Sequence, residues 1–162
     1  MKLLFENWQK FLKEYQGEHS APTSDGGAPL WNVSDGIYPK DFYDHVGLRY
    51  YGTGSEFDRE AYNIIRNAHG RRDKQVKIYR AVPKGIKDIN EGDWVTISRG
   101  YAKEHGIRSL EDDYVILKKL VSARDLFTNG DSLLEWGYDP HERISYSERE
   151  DWEKWPGKKS RN

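Results

Sequence analysis

The chain has 162 residues, which is enough for one domain of ordinary size with a hydrophobic core. Its formal net charge is −1, so it has no positive field that would attract nucleic acid or an anionic membrane surface. It contains no cysteine, which excludes disulfides, thiolate zinc sites and cysteine nucleophiles.

No apolar run approaches the length of a membrane span, and the N-terminus reaches charged residues too soon for a signal peptide. We therefore expect no membrane partner and a cytoplasmic protein.

The first part of the chain is predicted to be helical, with one long loop. Apolar side chains at helical spacing predict an amphipathic helix over residues 3–16. Residues 17–36 are rich in Gly, Pro, Ser and Asp, with few apolar anchors, and predict an irregular loop. A short helix is expected over residues 39–46, opened by proline. Residues 55–58 resemble a capping box, and a helical apolar face over residues 57–68 follows.

The second part is predicted to contain short strands with one inserted helix. A helix from Ser98 to His105 is expected to follow the second strand, with Ser98 as its N-cap and Gly106 as its end. Because turns separate the strands more often than crossover helices do, the pattern favours an α+β fold with antiparallel pairing. The predicted strands are residues 75–82, 93–97, 114–121, 133–136 and 143–146.

An arginine occupies a core position in the first of these strands. Val76, Ile78 and Val82 alternate onto one face, and Arg80 falls among them. An inward arginine is costly unless an anion or a set of acceptors meets it. Its guanidinium suits either a phosphate or carboxylate of a ligand or a structural carboxylate of the protein, and this segment alone leaves the two equal.

Ser98 and Tyr101 lie where the second strand runs into the helix. N-capping alone would account for Ser98. The functional alternative is that its hydroxyl orients a nearby carboxylate or binds a sugar hydroxyl. Tyr101 projects from the first turn of the helix, where its ring either lines a cleft or fills the core.

Glu135 is a carboxylate between the apolar residues Leu134 and Trp136, after a turn signalled by Asn129-Gly130. Such a carboxylate is costly unless it is paired or used. It either pairs with Arg80 or acts on a developing positive charge. The histidines are scattered without metal-ligand spacing, so no metal site is predicted.

These segments, in this order, resemble the Arg–Ser–Glu class of ADP-ribosyltransferases. The surrounding residues are similar to ADP-ribosyltransferase-like domains in bacteriophages and their large polyvalent proteins, over roughly residues 48–140. The ordered trio carries the resemblance, since each motif alone is short. The segments that match the class are Tyr79-Arg80, Thr96-Ile97-Ser98 and Glu135, and the stretches most similar to the phage domains are Ile78–Pro83, Gly92–Thr96 and Glu135–Pro140.

The resemblance implies an α+β fold with a split two-sheet antiparallel core and NAD in the cleft between the sheets. Residues 48–156 would form the catalytic core, residues 1–47 would pack on it as a helical segment and loop, and residues 157–162 would be a flexible tail.

The implied function is that of a mono-ADP-ribosyltransferase, which cleaves NAD as a substrate and transfers ADP-ribose to a macromolecule. The acceptor would be a host protein rather than nucleic acid, and the enzyme a phage effector or anti-defence factor in the host cytoplasm. The alternatives are an NAD glycohydrolase and a catalytically inactive binding module with the same fold.

The resemblance also implies a role for each site residue. Arg80 would hold a phosphate or ribose of NAD, and the backbone of Ala81 would meet the nicotinamide amide. Ser98 would position Glu135, and Glu135 would engage the nicotinamide ribose and stabilise the transition state. The catalytic residues would be Arg80, Ser98 and Glu135, and the NAD-binding set Arg80, Ala81, Thr96, Ser98, Tyr101 and Glu135.

Leu133 departs from the family pattern. Many members that modify protein side chains carry Glu or Gln two residues before the catalytic Glu, and leucine cannot hydrogen-bond an acceptor. The nature of the acceptor is therefore left open. From the trio we also expect the anion that meets Arg80 to enter a cleft, rather than to be built permanently into the core. Without NAD, Arg80 is expected to rest against Glu135 or another acid.

Overall fold

The computed structural model describes residues 20–111 and 113–140. Over these residues the protein is α+β with antiparallel pairing, as predicted, and it has three α-helices and two antiparallel sheets. The helices are α1 (Gly47–Tyr51), α2 (Asp58–Ala68) and α3 (Arg99–Leu110), and the strands are β1 (Ala28–Pro29), β2 (Gln75–Pro83), β3 (Trp94–Val95), β4 (Tyr114–Ser122), β5 (Leu126–Thr128) and β6 (Trp136–Tyr138). The predicted helix over residues 3–16, the predicted strand over residues 143–146 and the predicted tail lie outside the described residues.

The two sheets meet at one point. One sheet has the strand order β1-β5-β6-β3, and the other is a long ribbon of β2 and β4, in which Arg80 lies opposite Leu117. An isolated bridge joins them: the Tyr79 amide donates to the Thr96 carbonyl at 2.8 Å, and the Thr96 amide donates to the Tyr79 carbonyl at 2.9 Å. The ribbon is therefore tied to the larger sheet just beyond the end of β3.

The core joins α2 to both sheets. The predicted apolar face of α2 is confirmed, since Ala61, Ile65 and Ala68 are fully buried. The capping box is formed only in part: the Asp58 carboxylate accepts from the Ser55 amide at 3.2 Å, but the Ser55 hydroxyl accepts from the Phe57 amide and not from the Asp58 amide, and α2 has no side-chain hydrogen bond at its N-cap.

Residues 17–36 were predicted to be a loop with few apolar anchors, and this is wrong for part of the segment. Ala28 begins β1, which pairs with β5, and Ala28, Leu30 and Val33 are completely buried. The short helix predicted over residues 39–46 is instead a 3-10 turn at Lys40–Tyr43, followed by α1.

The prediction that Gly106 ends α3 is wrong, because the helix continues to Leu110. A β-carbon at Gly106 would lie 2.6 Å from the ring of Tyr114. The glycine is therefore needed for close packing of α3 on β4 and not for a left-handed helix end.

The strand predicted over residues 133–136 is displaced, since β6 begins only at Trp136. Leu133 and Leu134 are both buried, which the alternation of a half-buried strand does not allow. Side-chain hydrogen bonds hold the backbone there: the Leu134 amide donates to the Ser132 hydroxyl at 3.0 Å, and the Trp136 indole donates to the Leu133 carbonyl at 2.9 Å. Within the described residues, no helix has the length and apolar character needed to cross a membrane.

Candidate active site

The bridge between the sheets brings the residues of the predicted site to one place. Arg80 directly follows Tyr79 on β2, and Ser98 comes two residues after Thr96. The antiparallel register of β3 and β6, continued by one residue, places Glu135 level with Thr96. Three segments that are far apart in the chain therefore converge where the ribbon leaves the larger sheet.

Glu135 is held by Tyr101. The tyrosine hydroxyl donates to Oε2 of Glu135 at 2.5 Å, a length typical of a hydrogen bond to an ionised carboxylate. Glu135 is half-buried, while its neighbours Leu134 and Trp136 are completely buried. The carboxylate is therefore fixed in direction and retains one side toward solvent.

Ser98 is the N-cap of α3, as predicted. Its hydroxyl accepts from the Tyr101 amide at 3.2 Å, and its own amide donates to the Thr96 hydroxyl at 3.2 Å. Ser98 has no exposed surface. The path from Ser98 to Glu135 runs through Tyr101, because the serine fixes the first helical turn and the tyrosine extends from it to the carboxylate.

Arg80 pairs with a carboxylate of the protein. Its Nη1 lies 2.9 Å from Oδ2 of Asp93, and the two side chains are only 15% and 10% exposed. The same oxygen accepts from the Asn90 amide at 2.7 Å, which fixes Asp93 in the turn before β3. Arg80 therefore rests against an acid of the protein other than Glu135, and an anion that enters a cleft to meet Arg80 stays a prediction.

The backbone N–H and C=O of Ala81 point to the edge of β2 at which the two sheets meet. Along a strand, successive residues direct their N–H and C=O groups to opposite edges. Since Tyr79 exchanges both hydrogen bonds with Thr96, Ala81 directs its own N–H and C=O to that same edge, two residues further along. A donor and an acceptor are thus presented beside the junction.

His105 belongs to the site, although the sequence analysis set the histidines aside. It lies one turn after Tyr101 on α3, and residues four apart share a helix face. Burial lowers the pKa of His105, the Glu135 carboxylate opposes this by raising it, and the Arg80 guanidinium lowers it further. The spacing of Ser98, Tyr101 and His105 was the signal in the sequence, because it places all three on one side of a helix.

Two glycines set the position of α3. A β-carbon at Gly100 would lie 2.5 Å from the ring of Phe57, and one at Gly106 would lie 2.6 Å from the ring of Tyr114. The Phe57 and Tyr101 rings also meet edge to face, with centroids 6.4 Å apart. The helix that carries Tyr101 and His105 is therefore packed closely on both sides of these two residues, at Gly100 and at Gly106.

Comparison with known proteins gave no match to a protein-family model, to a curated protein or to a solved structure. The described residues contain no group of three or more His, Asp or Glu side chains arranged to hold a metal ion. The junction contains a carboxylate held by a tyrosine, a guanidinium paired with a carboxylate, an imidazole, and a backbone N–H and C=O.

Proposed function

We propose that the protein is a mono-ADP-ribosyltransferase that cleaves NAD and transfers ADP-ribose to a macromolecule. The observation that carries the proposal is the convergence of Arg80, Ser98 and Glu135 at one junction between two antiparallel sheets. We infer that NAD binds in a cleft between these sheets, as in the split core of the ADP-ribosyltransferases that the sequence resembles.

One fixed carboxylate matches the chemistry of NAD cleavage. The bond between ribose C1′ and the nicotinamide nitrogen breaks, and the electron pair leaves with nicotinamide, which becomes neutral and needs no general acid. The ribose develops oxocarbenium character, which Glu135 stabilises electrostatically. An ordinary glycosidase generally needs a second carboxyl group to protonate its leaving group.

The surrounding groups suit the rest of the dinucleotide. The N–H and C=O of Ala81 match the two hydrogen-bonding groups of the nicotinamide carboxamide. Asp93 already balances the charge of Arg80, so the guanidinium is better suited to donate to ribose hydroxyls than to neutralise a phosphate. Thr96 and Ser98 hold the backbone that positions Tyr101 and Glu135.

We further propose that the acceptor is a host protein and that the enzyme acts in the host cytoplasm as a phage effector or anti-defence factor. This rests on the resemblance to phage domains and on the near-neutral charge of the chain, which provides no field for nucleic acid.

An NAD glycohydrolase is the second candidate, and Leu133 favours it. Leu133 is only 1% exposed, so the position from which many relatives of this class bind a protein acceptor carries a buried apolar side chain. Water, the acceptor of a glycohydrolase, needs no contact with a polar side chain at this position.

The test is to incubate the pure protein with bacterial lysate and NAD labelled on its adenosine half, following both nicotinamide release and macromolecular label. Wild type should do both, and Glu135→Gln should lower both by about 10²-fold or more. Glu104→Gln, which alters a surface carboxylate of α3 paired with Arg108, is the matched control and should retain activity.

Nicotinamide release that is equal with and without lysate, with only free ADP-ribose formed, would establish the glycohydrolase. No nicotinamide release by wild type, or equal release by Glu135→Gln, would reject NAD cleavage and leave a binding module.

A further inference from the structure

The proposed reaction needs a base on the acceptor side. A hydroxyl group that attacks C1′ must lose a proton as the new bond forms. Glu135 already accepts the Tyr101 hydroxyl at 2.5 Å and acts on the positive charge of the ribose. Leu133, where relatives of this class place a polar residue, is buried in the core. A separate group that takes the proton would leave Glu135 to act on the ribose alone.

His105 is the group placed to take it. It shares the face of α3 with Tyr101, at a separation of about 6 Å between β-carbons for residues one turn apart. Residue 105 is exposed to solvent. Arg80 on β2 and Glu135 before β6 are the charged groups that act on it, and the ring of Tyr114 on β4 packs against Gly106, the next residue of the helix.

We propose that His105 is the general base that deprotonates the acceptor, and that the acceptor is a hydroxyl, either of a protein side chain or of water. The inference rests on the proposed function, since it assigns a role within ADP-ribosyl transfer.

The step balances without a further reactant. The C1′–N bond breaks and its electron pair leaves with nicotinamide, while a lone pair of the acceptor oxygen forms the new C1′–O bond. The acceptor proton passes to the unprotonated ring nitrogen of His105 and from there to solvent. The imidazole must be neutral at the start, and the lowered pKa of His105 keeps it neutral at physiological pH.

The test compares wild type, His105→Ala, His105→Gln and the control His45→Ala, which removes an exposed histidine in the turn before α1. Nicotinamide release and transfer are measured from acid to neutral pH, with and without lysate. At neutral pH both His105 variants should lose about 10²–10⁴-fold in rate. The wild-type rate should fall as the pH drops through the pKa of His105, and the rates of the two His105 variants should not show this fall. His45→Ala should match wild type.

Added imidazole should restore part of the rate of His105→Ala, which a purely structural loss would not allow. Mass spectrometry of labelled protein should find ADP-ribose on hydroxyl-bearing side chains, whereas free ADP-ribose alone would identify water as the acceptor.

A wild-type pH profile in both His105 variants overturns the proposal while leaving NAD cleavage intact. A loss that imidazole does not restore, or label on guanidinium groups, also overturns it. Absence of NAD cleavage by wild type rejects the proposed function and this inference together.

Discussion

Arg80 and Asp93 form an ion pair that is largely shielded from water, with the two side chains 15% and 10% exposed. Asp93→Asn removes the counter-charge and leaves a buried guanidinium. We expect the free energy of unfolding to fall by about 3 kcal/mol, since breaking one side of a buried pair leaves an uncompensated charge. Urea denaturation of wild type and variant measures the difference.

The exposed pair between Arg108 and Glu104 is the control, because its side chains are 75% and 37% exposed. Glu104→Gln should change the free energy of unfolding by less than about 0.5 kcal/mol, as is usual for surface pairs. Equal effects of Asp93→Asn and Glu104→Gln would mean that Arg80 does not depend on Asp93.

The sequence predicted the burial of Arg80 but not its partner. Burial follows from alternation with Val76 and Ile78, which is a local property of one strand. The partner depends on the turn at Asn90 that directs Asp93 to β2, and this is a tertiary arrangement. His105 was missed for a related reason. Its spacing along the helix shows which side of α3 it lies on, but only the packing of α3 shows that this side is near Glu135.

At the scale of elements, α3 is the support of the site, and Gly106 is the residue on which its packing depends. Alanine normally stabilises a helix interior by about 1 kcal/mol relative to glycine. Here a β-carbon would lie 2.6 Å from the Tyr114 ring, so we expect Gly106→Ala to destabilise instead, by about 1–3 kcal/mol. Thermal and urea denaturation measure whether the substitution lowers or raises the free energy of unfolding.

Lys103→Ala, an exposed substitution on the same helix, should leave stability within about 0.5 kcal/mol of wild type. If the clash is the cause, Gly106→Ala should cost less in a Tyr114→Ala background than in wild type. Stabilisation by Gly106→Ala would contradict the packing that positions Tyr101 and His105.

Elements with a long regular signal were predicted well, and short ones were not. β2 and β4 each span nine residues and match their predicted bounds to within one residue. β1 and β5 have two and three residues, too few to show alternation, and exist because they pair with neighbouring strands. Gly106 was wrongly predicted to end the helix, because the sequence does not distinguish a glycine required for close packing from a glycine that ends a helix.

At the scale of the whole molecule, the site depends on a topology that the sequence did not specify. The sequence favoured α+β with antiparallel pairing, and this is confirmed. The isolated bridge between Tyr79 and Thr96, which brings β2, α3 and the segment before β6 together, comes from long-range pairing. The ordered trio Arg80, Ser98 and Glu135 was available in the sequence, whereas the contact of Tyr101 with Glu135 required the packed structure.

The charge of the whole chain leads to a prediction about its macromolecular partner. A protein that binds nucleic acid through phosphate contacts needs clustered Lys and Arg and shows affinity that falls steeply with salt. This chain has 26 basic and 27 acidic residues, so its net charge provides no long-range attraction to nucleic acid. We therefore expect the label transferred from NAD in a lysate to survive nuclease and to be removed by protease.

In the same way, fluorescence anisotropy with single- and double-stranded DNA should show no binding at low salt. Glu135→Gln supplies the background for the labelling, because it retains the charge pattern of the remaining surface and lacks the carboxylate proposed to act on the ribose. Two results would show that a local basic surface outweighs the near-zero net charge. One is label that nuclease removes, and the other is DNA binding whose log affinity falls linearly with the log of the salt concentration. The acceptor would then be nucleic acid, and the proposal of a protein target would fail while NAD cleavage stood.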